Sequence, residues 1–220
     1  MIARLLYRDG LVLIIDKPAG LAVHKGPGGG PTVEDALDAL RFGLPRRPAL
    51  AHRLDRDTSG CLVLGRHAKA LRRLGRLFAQ GRVGKTYWAV VEGVPADRQG
   101  RIALPLRKRS TAARGWWMET AADGQNAVTE YRVLGMGGGR SWLELTPLTG
   151  RTHQIRVHLA AIGHPVVGDA VYGHGAGAMA LHARAISLPL YPNKPAIAAT
   201  APVPAHMAPL LEACGWTPDN

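Results

Sequence analysis

The sequence predicts a single α+β domain, and three observations support this prediction. About seven or eight short apolar runs bounded by turn residues are typical of strands, and about three segments have the apolar spacing of an amphipathic helix. At 220 residues the chain is long enough to bury one good core. Hydrophobic residues make up 46% and charged residues 20%, which is typical of a globular protein. Because no repeat or linker divides the sequence, we expect one domain over residues 1–220, with a proline-rich tail over residues 190–220.

The charge of the chain predicts a polyanionic partner. Lys and Arg number 28 and Asp and Glu 16, so the formal net charge is +12. Nucleic acid is the first expectation and an anionic membrane surface the second. The apolar run of residues 11–15 is too short for a membrane span or a signal core. Cys61 and Cys214 form no CxxC pair, and we expect both to be reduced thiols of a cytosolic protein.

The first elements follow from turn and cap residues. Residues 2–7 and 11–15 are apolar runs joined by Arg8-Asp9-Gly10, which predicts a β-hairpin. Residues 26–31 predict a flexible loop of Gly and Pro. Thr32, with Asp35 three residues later, predicts the start of a helix that runs to about Phe42. Its inner face would contain Val33, Ala36, Leu37 and Leu40.

Residues 51–60 place a carboxylate on a loop before a buried strand. Asp55 lies between Arg53 and Arg56, and a polar turn at residues 57–60 leads into the apolar run 61–64. Loops held by rigid scaffolds often carry chemistry. A charged surface loop, in which Asp55 merely pairs with its neighbours, explains the same residues. The residues alone leave both interpretations open.

A second helix is predicted over residues 67–79. Apolar residues recur on one side of it and basic residues on the other, with Leu71, Leu74 and Phe78 facing inward and Lys69, Arg72, Arg73 and Arg76 facing outward. Such a basic face is either solvated or in contact with nucleic-acid phosphates.

Gly84-Lys85-Thr86 ends like a phosphate-binding loop, but the match fails. Ala79 stands where the first glycine is required, and residues 87–91 predict a strand where a helix is needed.

Residues 101–126 predict a loop-rich stretch in which Arg107-Lys108-Arg109 and Trp116-Trp117 suit either single-stranded RNA or a partly buried surface. Residues 128–134 and 142–146 predict an antiparallel pair around a turn of glycines.

Residues 148–162 predict a turn followed by a helix. Ile155, Leu159 and Ile162 would form an inward stripe, which leaves Arg151 in the preceding turn. His153 and His158 are five positions apart and lack the spacing of a helical zinc site, so we expect no metal.

His52-Arg53-Leu54-Asp55-Arg56-Asp57-Thr58-Ser59-Gly60 resembles the catalytic signature of the RluA-type pseudouridine synthases. Further stretches with the same resemblance cover about residues 1–190, and they are Lys17-Pro18-Ala19-Gly20, Lys85-Thr86-Tyr87, Gly150 to Arg156, Gly163 to Asp169 and Leu181-His182-Ala183. The resemblance implies a mixed, mainly antiparallel central sheet flanked by helices. It also implies a catalytic domain that starts at residue 1, without the S4-type RNA-binding domain that many family members carry.

The resemblance further implies roles for particular residues. Asp55 would be the catalytic group, Arg151 would form an ion pair with it, and Tyr87 would lie against the target base. Arg53 would occupy the space that a flipped uridine leaves in the RNA. The remaining residues expected to bind RNA are His52, Arg56, Thr58, Gln154 and Leu181.

The implied activity is isomerisation of uridine to pseudouridine in structured ribosomal or transfer RNA, with neither metal nor nucleotide cofactor. We expect a cytoplasmic monomer that does not bind membranes. Two rival functions remain from the sequence. A non-catalytic RNA-binding protein explains the charge equally well, and a nucleotide-binding phosphatase or kinase would depend on Gly84-Lys85-Thr86.

Overall fold

A computed structural model describes residues 1–26, 29–175 and 177–218. Pro27 and Gly28, which belong to the predicted loop of Gly and Pro, lie outside the described residues. Within the described part the chain forms twelve strands and three α-helices: β1 Leu5–Arg8, β2 Val12–Lys17, β3 Ala49–Leu50, β4 Ser59–Gly65, α1 Ala68–Ala79, β5 Gly84–Glu92, β6 Gln99–Ile102, β7 Leu106–Thr111, β8 Gly115–Thr120, β9 Thr129–Gly137, β10 Arg140–Pro147, α2 Gln154–Ala161, β11 Leu181–Leu188, β12 Ile197–Thr200 and α3 Ala208–Ala213. Most strand pairs are antiparallel, so the predicted α+β fold with a mainly antiparallel sheet is confirmed.

The chain divides into two compact units. The first contains residues 1–85 and 182–203, and the second contains residues 86–181 and the described segment from residue 204 onward. The expectation of one domain over residues 1–220 stays a prediction.

The first unit is built on β2 and β4. β1 and β2 form the predicted antiparallel hairpin, β2 runs antiparallel to β4, and β11 runs parallel to β4. β3 adds to β4 and β12 to β11. Alternate residues of these strands, such as Val12, Val63 and Ile186, form one buried cluster with Leu74 and Leu77 of α1. Burial of these side chains against both strands and helix holds the unit together.

Two helical predictions need correction. In α1 the most buried side chains are Ala70, Leu74 and Leu77, while Leu71 and Phe78 are only half-buried, so the inner face is rotated relative to the prediction. Residues 34–40 form a 3₁₀ helix and not an α-helix. Asp35 explains part of the difference, because its carboxylate accepts hydrogen bonds from the amide and hydroxyl of Thr32, and such local bonding competes with helical backbone bonding.

The second unit contains an antiparallel sheet in the order β5, β10, β9, β6. The predicted pair around the glycine turn is confirmed as β9 and β10. The prediction of loop for residues 101–126 was wrong, because β7 and β8 form a separate two-stranded hairpin there. Its strand Leu106–Thr111 reads Leu-Arg-Lys-Arg-Ser-Thr and lacks the apolar alternation that identifies a half-buried strand.

Helix α2 and the proline-rich tail also differ from what the sequence predicts. Residues 154–159 of α2 are all buried, so this helix has no solvent side along that stretch, in contrast to the predicted inward stripe. The proline-rich tail is not featureless, since it supplies β12 and α3. The end of α3 packs on β9, where a Cβ at Gly135 or Gly137 would collide with backbone carbonyls of Cys214 and Ala213. Among the described residues, no helix has the length and apolar character needed to cross a membrane.

Candidate active site

The predicted site residues lie in both units. His52, Arg53, Asp55, Arg56 and Thr58 belong to the first unit. The second unit contains Tyr87, Arg151, Gln154 and Leu181. The predicted ion pair between Asp55 and Arg151 stays a prediction.

The loop that carries Asp55 connects β3 to β4. Leu54 and Thr58 are buried, with 5% and 2% of their surface exposed, and the Thr58 amide donates to the Asp55 carbonyl at 3.2 Å. Asp55 itself is half-buried, while Arg53 and Arg56 are exposed. The loop is therefore fixed by buried residues, while Asp55 is partly exposed and Arg53 and Arg56 are exposed.

Lys17 fixes this loop from within, which the sequence reasoning missed. Its side chain is completely buried, and Nζ donates to the carbonyl oxygens of Pro18, Leu21 and Arg56, each at 2.8 Å. Burial lowers the pKa of Lys17 to about 8, although the carboxylates of Asp57 and Asp55 act in the opposite direction. The ammonium thus ties the turn after β2 to the backbone next to Asp55. The sequence signal that could have identified Lys17 is the Lys17-Pro18-Ala19-Gly20 motif.

The start of β4 is held by β11. Ser59 Oγ lies 2.8 Å from Nδ1 of His182, and both residues are buried. Gly60 has φ +106° and faces Ala183, whose backbone atoms occupy the space that a Cβ would need. A residue with a side chain does not fit here, so Gly60 is required where the signature turns into the strand.

The contacts of His52 are those of a structural residue. Its Nε2 accepts a hydrogen bond from the Val63 amide at 3.0 Å, and its ring stacks on Phe78 at 4.7 Å between centroids. Burial lowers the pKa of His52 to about 4, and the charge of Lys85 acts in the same direction. Through its contacts with Val63 and Phe78, the neutral imidazole links the loop to β4 and α1. The predicted contacts of His52 and the buried Thr58 with RNA stay predictions.

In the second unit Gln154 shapes the turn that presents Arg151. The Gln154 side-chain oxygen accepts from Thr149 Oγ1 at 2.6 Å and from the Arg151 amide at 3.0 Å, and its nitrogen donates to the carbonyl of Val128 and to Thr129 Oγ1. Gln154 is buried, and these four contacts explain why a polar residue is tolerated there. They give Gln154 a supporting role, and its predicted contact with RNA stays a prediction.

Arg151, Tyr87 and Leu181 differ in exposure. Arg151 is exposed, and its Nε donates to the carbonyl of Asn126 at 3.1 Å. Tyr87 is half-buried on β5 and pairs with Leu145 of β10. Leu181, with 3% of its surface exposed, is a core residue. Of these side chains only Arg151 is largely open to solvent.

A buried ion pair supports the same region of the second unit. Arg156 of α2 bonds to both carboxylate oxygens of Asp169, at 2.7 and 2.8 Å. Hydrogen bonds from Arg156 hold the pKa of Asp169 below its usual value despite burial. Asp169 also accepts from the amides of Val171 and Tyr172, so the pair fixes the segment that follows it. Among the described residues no cluster of His, Cys, Asp and Glu suitable for a metal ion occurs.

Comparisons with known proteins agree with the sequence motifs. The family model of RNA pseudouridylate synthases matches residues 11–161. A protein of Zymomonas mobilis named as an uncharacterised RNA pseudouridine synthase is 46% identical over 206 residues, which cover 91% of this chain and 94% of that protein. A similarly named protein of Synechocystis is 40% identical over 220 residues, covering 94% of this chain and 67% of that one.

Solved structures give the same result. The human protein RNA pseudouridylate synthase domain containing 4 superposes with a TM-score of 0.82 at 26% identity, covering 97% of this chain and 93% of that chain. The class defined by fold and motif is an isomerase that acts on uridine in RNA. The chain belongs to the RNA pseudouridylate synthase family, and the predicted RluA-type resemblance is confirmed. A purely RNA-binding function is not favoured.

Proposed function

We propose that this enzyme converts uridines of structured ribosomal or transfer RNA to pseudouridine, with Asp55 as the catalytic group. The observation that carries the proposal is the construction of residues 51–60: buried Leu54 and Thr58 and the ammonium of Lys17 fix a loop on which Asp55 remains partly accessible. A carboxylate held in this way can meet a nucleotide without reorganising the loop.

The reaction itself makes few demands. The bond from ribose C1′ to uracil N1 breaks, the uracil turns, a bond from C1′ to C5 forms, and the proton on C5 is exchanged for one on N1. An anionic group near C1′ and C2′ suffices. Asp55 can act either by attacking C1′ or by removing a proton from C2′, and both routes use the same carboxylate.

A stacked uridine has to leave the RNA before it can reach this loop, at a cost of a few kcal/mol. Arg53 is exposed beside Asp55, and we assign it the space that the flipped base vacates. Arg53→Ala is expected to raise KM for a structured RNA by about tenfold and to change KM for an unstructured oligonucleotide of the same sequence by less than about twofold. Equal effects on both RNAs would rule out this role.

We assign Arg151 to charge stabilisation of the catalytic carboxylate and Tyr87 to the target base, on the strength of the family motifs. The four contacts of Gln154 support the role of Arg151, because they fix the turn that presents it. Arg151→Ala is expected to lower kcat by about a hundredfold while RNA affinity changes little, and Arg151→Lys should retain part of the activity. A loss that appears only in affinity would assign Arg151 to RNA binding instead.

The target RNA is tested by mapping pseudouridines in ribosomal and transfer RNA from cells that lack this protein. Sites that disappear, and that return with the unaltered protein but not with Asp55→Asn, identify the substrate. If all lost sites lie in messenger RNA, the proposed substrate class is wrong.

We also propose that the protein is a cytoplasmic monomer. The free thiols of Cys61 and Cys214 are buried, as suits a reducing compartment. Cell fractionation and light scattering test the two statements separately. Since relatives in Arabidopsis thaliana are named as mitochondrial, organelle and cytosol fractions should both be probed.

A further inference from the structure

The hairpin of β7 and β8 carries an exposed tryptophan. Trp116 keeps 46% of its surface open, which is unusual for so large an apolar side chain. Lys108 and Met118 face each other across the hairpin, as do Ser110 and Trp116 two positions along. Because side chains two positions apart share a face of a strand, these four residues lie on one face of the hairpin.

Contacts with neighbouring aromatic residues hold the Trp116 indole in place. Its ring stacks on His153 at 5.1 Å between centroids with 27° between planes. His153 Nδ1 lies 2.8 Å from the Tyr172 hydroxyl oxygen. The same oxygen accepts a hydrogen bond from the Met118 amide at 2.9 Å. Tyr172 is fixed in turn by Asp169, whose carboxylate accepts a hydrogen bond from the Tyr172 backbone amide.

His153 has an uncommon backbone conformation. Its φ is +52°, in the left-handed region that residues with a side chain seldom adopt. The imidazole in this conformation stacks on Trp116 and makes an edge-to-face contact with Tyr172. The indole is therefore a partly exposed ring that is held in place by a stacking contact.

A cation lies over the indole ring. Nζ of Lys108 is 5.1 Å from the centre of the Trp116 ring. Arg107 and Arg109 share Glu119, and Arg107 also pairs with Asp123, whereas Lys108 has no ion pair with a carboxylate among the described residues. Lys108 is thus the cation of this strand whose charge is least neutralised.

We propose that Trp116 is a stacking platform for a second unpaired base of the substrate RNA, not the uridine that reacts, and that Lys108 contacts the adjoining phosphate. An indole next to an ammonium matches a base next to a phosphate, since aromatic faces stack on bases of any sequence and cations bind the backbone. The ammonium of Lys108, which has no carboxylate partner among the described residues, favours RNA over an apolar protein segment. The inference rests on the proposed function insofar as the partner is RNA.

The test compares variants by fluorescence anisotropy with a labelled single-stranded uridylate 12-mer. Trp116→Leu keeps apolar bulk without an aromatic face and is expected to weaken binding by about tenfold or more, while Trp116→Phe stays within about threefold of the unaltered protein. Trp117→Leu is the matched control, because Trp117 lies on the other face of the hairpin under Arg114, and it should bind normally.

Salt titration separates the two parts of the platform. Lys108→Ala should lower the slope of log affinity against log salt by about 0.7, and Trp116→Leu should leave that slope unchanged. With a structured RNA substrate, Trp116→Leu should raise KM and leave kcat within about twofold, because the base on Trp116 does not react.

The proposal is overturned if Trp116→Leu binds as tightly as the unaltered protein, if Trp117→Leu loses as much affinity, or if the 12-mer does not bind at all. Thermal unfolding of each variant shows whether the hairpin has lost its fold, and Trp116→Phe then decides the outcome. Failure of the unaltered protein to form any pseudouridine would refute the proposed function instead. Normal activity with normal binding by Trp116→Leu refutes only the platform.

Discussion

At the scale of single residues, Lys17 connects stability to the loop that carries Asp55. A buried ammonium with three carbonyl partners is stable only because those partners replace its water. Removing the charge would leave the carbonyls of Pro18, Leu21 and Arg56 without this donor.

Lys17→Met is therefore expected to lower the free energy of unfolding by about 2 kcal/mol or more and to reduce kcat, because the backbone beside Asp55 loses its support. Urea denaturation and a pseudouridine assay measure the two effects. Lys69→Met on the exposed face of α1 is the control and should change stability by less than about 0.5 kcal/mol. A Lys17 variant as stable and active as the control would contradict the account.

His52 gives a prediction for pH. Its pKa falls from 6.5 to about 4 on folding, so the unfolded chain binds more protons between these values. Stability contributed by neutral His52 is then complete above about pH 6.5 and is lost as the pH falls toward about 4, by up to about 3 kcal/mol. Unfolding free energies measured over this range should rise with pH, and His52→Gln should reduce that slope. An unchanged slope in the variant would show that His52 does not carry the effect.

At the scale of elements, the junction between the signature and β4 depends on a close approach to β11. Gly60→Ala would place a Cβ against the Ala183 backbone in a left-handed conformation. We expect a loss of about 3 kcal/mol or more, or no folded protein. Gly75→Ala in α1 is the contrasting variant, since open space surrounds Gly75, and it should gain about 0.5–1 kcal/mol. Thermal unfolding of both distinguishes packing from a general sensitivity to alanine.

Elements with strong local signals could be predicted from the sequence. The first hairpin, α1, β5 and the β9–β10 pair all have turn residues or apolar periodicity, and they are present. The β7–β8 hairpin could not be predicted, because its exposed basic strand has no apolar pattern. The inner face of α1 is the one whose Leu74 and Leu77 pack into the cluster formed with β2, β4 and β11, and sequence spacing does not specify that packing.

The candidate site shows the same division. The signature around Asp55 and the turn before α2 are contiguous motifs, so they could be recognised along the chain. The contacts of Lys17 with Arg56, of Ser59 with His182 and of Trp116 with His153 join residues far apart in sequence. Tertiary packing creates these contacts, and the motifs that contain Lys17 and His182 do not show which residues these two contact.

At the scale of the whole molecule, a net charge of +12 predicts RNA binding that depends steeply on salt. Lys69, Arg72 and Arg76 are exposed along α1 and are the candidates for phosphate contacts. Replacing all three by Gln should lower the slope of log affinity against log salt by about 2–3 if they contact RNA. The matched control is Arg101→Gln with Arg132→Gln, because both arginines are exposed but paired with carboxylates. Equal slopes for triple variant and unaltered protein would mean that the basic face of α1 is only solvated.

The central claim, that Asp55 performs the isomerisation, is tested most directly by pseudouridine formation with Asp55→Asn beside Asp57→Asn. The two carboxylates are two positions apart on one loop, so effects on charge and RNA affinity should be similar. Purified protein in excess over a substrate RNA would be assayed in a single turnover, with RNA affinity measured in parallel. We expect Asp55→Asn to bind RNA and to lose activity by more than about a thousandfold, while Asp57→Asn remains within about tenfold of the unaltered protein. Substantial conversion by Asp55→Asn would contradict the account.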